Sequence, residues 1–344
     1  MKHHPLSLAI AMGLTTSAIA DQTENADTTR SFVLDKVTVA ATLSEESVKD
    51  VAGTVSVIEQ DAINEQNTSN INDLVRYEPG VEVGVQGGQG SRFGFKGFNI
   101  RGMDENRVKI TVDGINQANS FTPTGNPFQR SGRNHVDIDS VKRVEIVKGP
   151  ASTLYGSDAL GGMVAFTTKD PADYLDSGDG FGGSLKTRYG SSDESMSETL
   201  TLANRTGNLE SMVLYTRRDS DEQENHDDSD TNRDTQDFES DNILVKLQYQ
   251  LTPNHRFGLT YEDYQSENRT DMPSKLSSSS YSEFYYGDDE TERQRASFSH
   301  QWKSDNALFD TLSWQLDWQD SYEDQETHTM YSSRGSTPLY RIKD

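Results

Sequence analysis

The spacing of apolar residues changes along this chain, and each change predicts a different kind of element. "FVLDKVTVAAT" (Phe32 to Thr42) is a β-prone island in a polar leader, with no neighbouring segment to bury it. It reads either as a first edge strand or as a strand offered to a partner, where main-chain hydrogen bonds supply affinity. From Val48 to Pro171 the pattern is that of a small α+β domain. "GTVSVIEQDAINEQ" runs from an alternating strand into a short helix. In "SNINDLVRYEPGVEV", Ser69 or Asn70 can cap a helix that presents Ile71, Leu74 and Val75 on one face before Pro79-Gly80 stops it. "KGFNIRGM", "RVKITVDGINQ" and "VKRVEIVKG" alternate between glycine or turn residues and read as strands.

Beyond "DPADYLDSGDG" the texture changes again. Seven segments of about ten residues follow, the length of a barrel strand. They begin at "FGGSLKTRYG" and "MSETLTLANR" and end at "RQRASFSHQWK" and "DTLSWQLDWQD". Most alternate with period two, as Leu312, Trp314, Leu316 and Trp318 do against Ser313, Gln315 and Asp317. Connections such as "TGNLE" and "TPN" are tight, whereas 220–240 and 266–292 are long and polar. Short turns on one side and long loops on the other fit an outer-membrane barrel; a secreted β-sandwich, which also alternates, is the competing reading.

The N-terminus assigns an address. "MKHHPLSLAIAMGLTTSAIADQ" has a short, partly basic start, an apolar core over Leu6 to Leu14 and the small-residue pattern Ala18-Ile19-Ala20. This is a signal peptide over 1–20, followed by a polar leader over 21–47. Export makes the charge informative. With 32 Lys or Arg against 56 Asp or Glu the net charge is -24, which excludes nucleic acid as a partner because phosphate binding needs a basic face. There is no cysteine, so disulfides and thiolate metal sites are excluded. No stretch after the signal approaches the roughly 20 apolar residues of a spanning helix.

Candidate chemistry is sparse. The glycine-rich "GPASTLYGSDALGG" (Gly149 to Gly162) runs into the strand "MVAFTT" rather than into Gly-Lys-Ser/Thr and a helix, so no phosphate loop is implied. Its glycines read as tight turns and close backbone approach. In the acidic stretch 219–241, Asp228, Asp230, Asn232, Asp234 and Glu239 fall at calcium-loop positions, but Arg233 replaces the glycine the loop requires. A solvated acidic loop is the expected reading. No nucleophile, base and orienting group converge in any motif, so no catalytic residue is expected.

Exported chain, β-prone island, α+β domain and barrel-like strands occur in the order of the TonB-dependent outer-membrane receptors, and the motifs resemble theirs. "DKVTVAAT" (35–42) looks like their TonB box. "DLVRYEPGV" (73–81), "FNIRGMDENRVKITVDGINQ" (98–117) and "VEIVKGPASTLYGSDALGG" (144–162) look like their plug signatures. The spellings are nearest the haem and haemoglobin receptor branch, which also holds transferrin and lactoferrin receptors. The resemblance implies a plug over 48–172 and, over 180–344, the first strands of an antiparallel transmembrane barrel of about 22 strands. Seven strands do not close around such a plug, so an incomplete, N-terminal portion of a receptor is expected.

The resemblance further implies a Gram-negative outer-membrane location in contact with outer-membrane lipid, and energy supplied by TonB through Asp35, Lys36, Val37, Thr38, Val39, Ala40 and Ala41. It implies haem, free or in a protein such as haemoglobin, as transported ligand rather than prosthetic group. Haem iron is held by His, Cys, Met or Tyr. The histidines after the signal are His135, His226, His255, His300 and His328, and His135, inside the plug, is the expected haem contact. Arg101, Arg143 and Glu145 are candidate charged contacts between plug and barrel. A ferric siderophore or transferrin receptor, or an exported adhesin-like β-protein, are the alternatives.

Overall fold

The computed structural model describes residues 37–38, 46–47, 54–86, 94–119, 135–151, 159–221, 234–277, 281–306, 309–331 and 340–343. The signal peptide and most of the calcium-loop-like stretch lie outside the described residues. Val37–Thr38 (β1) and Glu46–Ser47 (β2) form a two-stranded antiparallel ladder. The β-prone island, read in sequence as lacking a neighbour, therefore has one within the chain.

The α+β domain opens with Val55–Glu59 (β3), Gln60–Glu65 (α1) and Ile71–Leu74 (α2). One turn suffices for α2 because its N-terminus is capped twice. Asn70 accepts from the Asp73 backbone N–H at 2.9 Å, and Ser69 Oγ donates to the Asp73 carboxylate at 2.5 Å. Its apolar residues Ile71 and Leu74 are buried. Val81–Gln86 (β4) and Gly94–Ile100 (β5) make a hairpin. Val108–Val112 (β6) and Ile115–Asn116 (β7) make a second. At its turn Asp113 and Gly114 both have positive φ, +48° and +85°, the backbone that a two-residue hairpin turn demands and that Asp-Gly supplies.

Val141–Val147 (β8) and Gly162–Thr168 (β9) complete a five-stranded sheet of order β3-β8-β9-β6-β7, in which β6 and β9 run parallel. Its core is Val108, Ile110, Val112, Val144, Ile146, Val164 and Phe166, closed by Phe98, Ile100 and Leu74. Gly162 sits where the backbone of β8 comes close: a Cβ there would lie 2.3 Å from the Val147 carbonyl oxygen. The glycines read as devices for close approach do that at this position.

Eight further strands form one antiparallel sheet in chain order, here called the wall. They are Gly180–Tyr189 (β10), Met196–Thr206 (β11), Leu209–Asp221 (β12), Thr235–Thr252 (β13), His255–Asp271 (β14), Tyr281–Asn306 (β15), Phe309–Tyr331 (β16) and Tyr340–Lys343 (β17). One face turns Met212, Leu214, Leu244, Thr201, Asn242 and Glu262 into the interior. The other exposes Leu202, Val213, Ile243, Leu259, Phe298, Leu316 and Trp318. This is polar-and-packed inside and apolar outside, the inverse of a water-soluble sheet. Among the described residues no helix is long and apolar enough to cross a membrane.

Two readings of the pattern are corrected. The strands β13 to β16 are well longer than ten residues: β15 has 26 and β16 has 23. Parts of the polar stretches 220–240 and 266–292 are strand, because pairing continues past the apolar band, where nothing requires apolar side chains. The strand β16 ends at Tyr331, and Tyr340–Lys343 pairs with it as β17.

Candidate functional site

The inner face of the wall packs on the α+β domain through charges, and the two sides carry opposite signs. The first cluster is built on the β6–β7 turn. Asp113 is held in place by Thr168 at the end of β9, whose N–H and hydroxyl donate to its two carboxylate oxygens at 2.8 and 2.6 Å. Arg295 of β15 reaches the same carboxylate at 2.8 Å. Lys246 of β13 lies 3.9 Å from it and bonds Asp170 at 3.0 Å. Behind Arg295, Glu262 of β14 also takes Arg293 at 2.9 Å, and all three of these wall side chains are almost fully buried. Gln117 ties the same turn to the wall, accepting from Arg293 at 3.1 Å and donating to Gln319 at 3.3 Å.

The second cluster is the short turn before β8. Asp137 Oδ1 accepts from the backbone N–H groups of Asp139 and Ser140, which fixes both carboxylates against the wall. Asp139 receives Lys186 and Arg218 at 2.8 Å each and Arg188 at 3.4 Å; Arg218 also reaches Asp137 at 3.1 Å. Arg218 donates a further bond to the Ser69 carbonyl at 3.0 Å, so α2 is tied to the same point. In both clusters wall cations meet domain carboxylates, with Glu262 an added wall anion in the first.

Burial would raise the pKa of Asp113, Asp137 and Asp139. At Asp113 the opposing charges of Lys246 and Arg295, with the two Thr168 hydrogen bonds, outweigh burial and hold the carboxyl well below its usual range. At Asp139 burial is outweighed by Arg218, Arg188 and Lys186, and the pKa is again lowered. At Asp137 burial prevails over Arg218, with Asp139 adding to it, so its pKa is raised. Two neighbouring carboxylates thus divide: one stays ionised and the other leans toward its neutral form.

His135, the expected haem contact, lies just before the second cluster. Its Nε2 is 3.7 Å from a Glu323 carboxylate oxygen of β16, and its ring centroid is 6.4 Å from that of Tyr264 of β14. A quarter of its side chain is exposed. Arg101, Arg143 and Glu145 have partners within the domain. Arg101 donates to Thr54 Oγ1 at 3.1 Å, and Arg143 pairs with Glu145 at 2.6 Å along β8. Asp113, Gln117, Asp137, Asp139 and Asp170 meet the wall. Nothing local in the sequence shows that the carboxylates of Asp113 and Asp139 meet Arg295 and Arg218. Of the expected TonB-contacting residues only Val37 and Thr38 are described, as β1. Asp234 and Glu239 bond Ser274 and Arg217, and no cluster of metal ligands occurs among the described residues. The arrangement holds the domain against the wall by many separate polar contacts.

Residues 47–163 match the TonB-dependent Receptor Plug Domain family. The chain is 35% identical over 285 residues to a probable hemoglobin and hemoglobin-haptoglobin-binding protein 4 of Haemophilus influenzae, covering 76% of this chain and 28% of that one. It is 40% identical over 164 residues to transferrin-binding protein A of Neisseria meningitidis serogroup B, covering 46% of this chain and 18% of that one. The chain therefore spans less than a third of the length of these curated relatives. Among solved structures, the FrpB iron transporter from Neisseria meningitidis matches with TM-score 0.60 at 18% identity, over 85% of this chain and 48% of that one. The ferric citrate transporter FecA matches with TM-score 0.55 at 15% identity, over 86% and 52%. The structural likenesses establish the fold: a plug domain against the strands of an outer-membrane barrel.

Proposed function

We propose that this chain, which belongs to the TonB-dependent outer-membrane receptors, serves the import of haem, or of iron from haem proteins, with energy supplied by TonB. The family is one of transport receptors rather than enzymes, and we assign no catalytic step to the chain. The observation that carries the cargo assignment is the likeness to a hemoglobin-binding protein over 285 residues. That span is longer than the matched plug region, so it reaches into the wall. The 40% identity to a transferrin-binding protein supports a second reading, iron from transferrin.

The test is disruption of the gene for this chain in its host, followed by growth on haemoglobin or on transferrin as sole iron source. Loss on haemoglobin alone is the expected result. Loss on transferrin alone would establish the second reading.

Two site assignments follow. His135 is proposed as a haem contact: neutral imidazole is a suitable iron ligand, the ring is partly exposed, and no cysteine competes. His135→Ala is expected to change the Soret band of bound haem and to slow growth on haem; an unchanged band and unchanged growth remove it from the site. Asp35 to Ala41 is proposed as the strand that TonB takes up by main-chain pairing. Proline at Val39 removes a backbone donor, and is expected to abolish uptake while leaving surface binding of cargo intact. Full uptake in that variant would end the assignment.

A further inference from the structure

Two histidines meet on the outward face of the wall, at the end where its turns are short. His255 opens β14 beside Pro253-Asn254, and His300 lies on β15. His255 is in register with Trp302, and His300 with Phe257 and Trp314. His255 Nδ1 and His300 Nε2 are 3.0 Å apart. Trp302 stacks on His255 at 5.4 Å between centroids, Phe257 stacks on His300 at 4.4 Å, and Trp314 meets His300 edge-on at 5.5 Å. The same alternation that places these rings outward places Leu259, Phe298 and Leu316 outward next to them. The pair therefore sits where the apolar band gives way to aromatic residues, the depth of lipid headgroups.

We propose that the His255–His300 pair binds the phosphate of a glycerophospholipid in the leaflet on the short-turn side, and does so best when the pair carries one added proton. A hydrogen bond between two neutral imidazoles uses one N–H and one lone pair. One N–H and one lone pair remain, divided between His255 Nε2 and His300 Nδ1. An added proton takes that lone pair. Both outer nitrogens then donate, the pair carries one positive charge, and a phosphate oxygen can accept charge-assisted bonds. The stacked face of Trp302 accommodates the cation.

The surroundings leave this role open. His135 lies beside Glu323, and His328 beside Asp288 and Glu326. No carboxylate is paired with His255 or His300 among the described residues. The charged and titratable groups around the pair are few. Arg256 of β14 is engaged by Glu210 at 2.9 Å on the other side of the strand. Among the described residues, Lys303 of β15, Tyr249 of β13 opposite Phe257, and Asp310 of β16 also lie at this end of the strands.

The test uses the full chain in phosphatidylcholine vesicles that contain a minor fraction of phosphatidylglycerol with a fluorescent headgroup. Trp302 and Trp314 touch the pair, and Trp318 lies four positions further along β16, so energy transfer from the first two reports headgroup proximity. One added charge near an anionic lipid is expected to enrich the labelled lipid about fivefold between about pH 7.5 and about pH 5.5. The double variant His255→Gln with His300→Gln should lose this dependence, and His328→Gln should keep it. Should the double variant lack β-sheet circular dichroism, the two single variants decide, since each retains one imidazole beside an amide that can still hydrogen-bond. Enrichment that ignores pH, or that survives in the glutamine variants, overturns the proposal. So does its complete loss to millimolar inorganic phosphate, which would mark a small-anion site.

Discussion

Asp139 collects three wall cations on one carboxylate that is almost wholly buried. Asp139→Ala leaves Lys186, Arg188 and Arg218 to repel one another without their shared anion. Breaking a buried pair from one side costs about 3 kcal/mol or more, so the variant is expected to unfold at visibly lower guanidinium concentration. Asp139→Asn keeps an acceptor and is expected to lose less. The sign of the pH dependence follows from the lowered pKa. Asp139 and Asp113 contribute stability above the unfolded carboxylate value of about 4, and that contribution disappears as the pH falls through their depressed folded values. Asp137 acts oppositely: its pKa is raised, so ionising it above about pH 4 costs stability. The parent should therefore weaken in acid, and Asp139→Asn should weaken less over the same pH range. Equal acid sensitivity in the two proteins would mean that Asp139 is not the group responsible.

At the scale of elements, β9 is held against β8 by an absent side chain. A Cβ on Gly162 would meet the Val147 carbonyl oxygen at 2.3 Å and Ile100 Cδ1 at 2.8 Å, and its φ is +150°. Gly149 has a similar φ of +147° but nothing within 4 Å. Gly162→Ala combines overpacking with backbone strain and is expected to cost about 3 kcal/mol, whereas Gly149→Ala meets only the strain, about 1 to 2 kcal/mol. Thermal unfolding of the two variants separates them; equal losses would deny the close approach at Gly162. The capped α2 was legible in sequence because Ser69, Asn70 and Asp73 lie a few positions apart; the glycines were legible by type, though the neighbours that require Gly162 are the distant Val147 and Ile100. The outer parts of β13 to β16 were not legible. Segments such as "DFESD" and "YYGDDETE" carry acids on an alternating backbone, and beyond the lipid band pairing is supplied by the neighbouring strand rather than by an apolar face. The plug–wall contacts were illegible for a related reason: Asp113 and Arg295 are 182 positions apart, and only the fold brings them together.

At the scale of the whole molecule, the outward face of the wall separates the membrane reading from a soluble sandwich more sharply than any motif does. Leu316 is two-thirds exposed in the middle of β16, between Trp314 and Trp318, which are also exposed. If water covered this face, Leu316→Arg would remove an exposed apolar group, cost almost nothing and improve solubility. If lipid covers it, an arginine in the apolar band costs up to about 2 to 4 kcal/mol, the more the deeper it lies. The inward neighbours Gln315 and Asp317 already carry polar groups, and Gln315 donates to the Asp113 carbonyl at 3.2 Å, so a polar residue one position away is tolerated. Leu316→Arg is accordingly expected to lower the yield of membrane-inserted protein from outer-membrane fractions, whereas the conservative Gln315→Asn is expected to leave it near the parent. Because strand neighbours face opposite sides, the contrast between 315 and 316 reads the direction of each face rather than a general sensitivity of β16. Insertion unaffected by Leu316→Arg, together with better solubility in the absence of lipid, would place water on this face and return the eight strands to a sandwich.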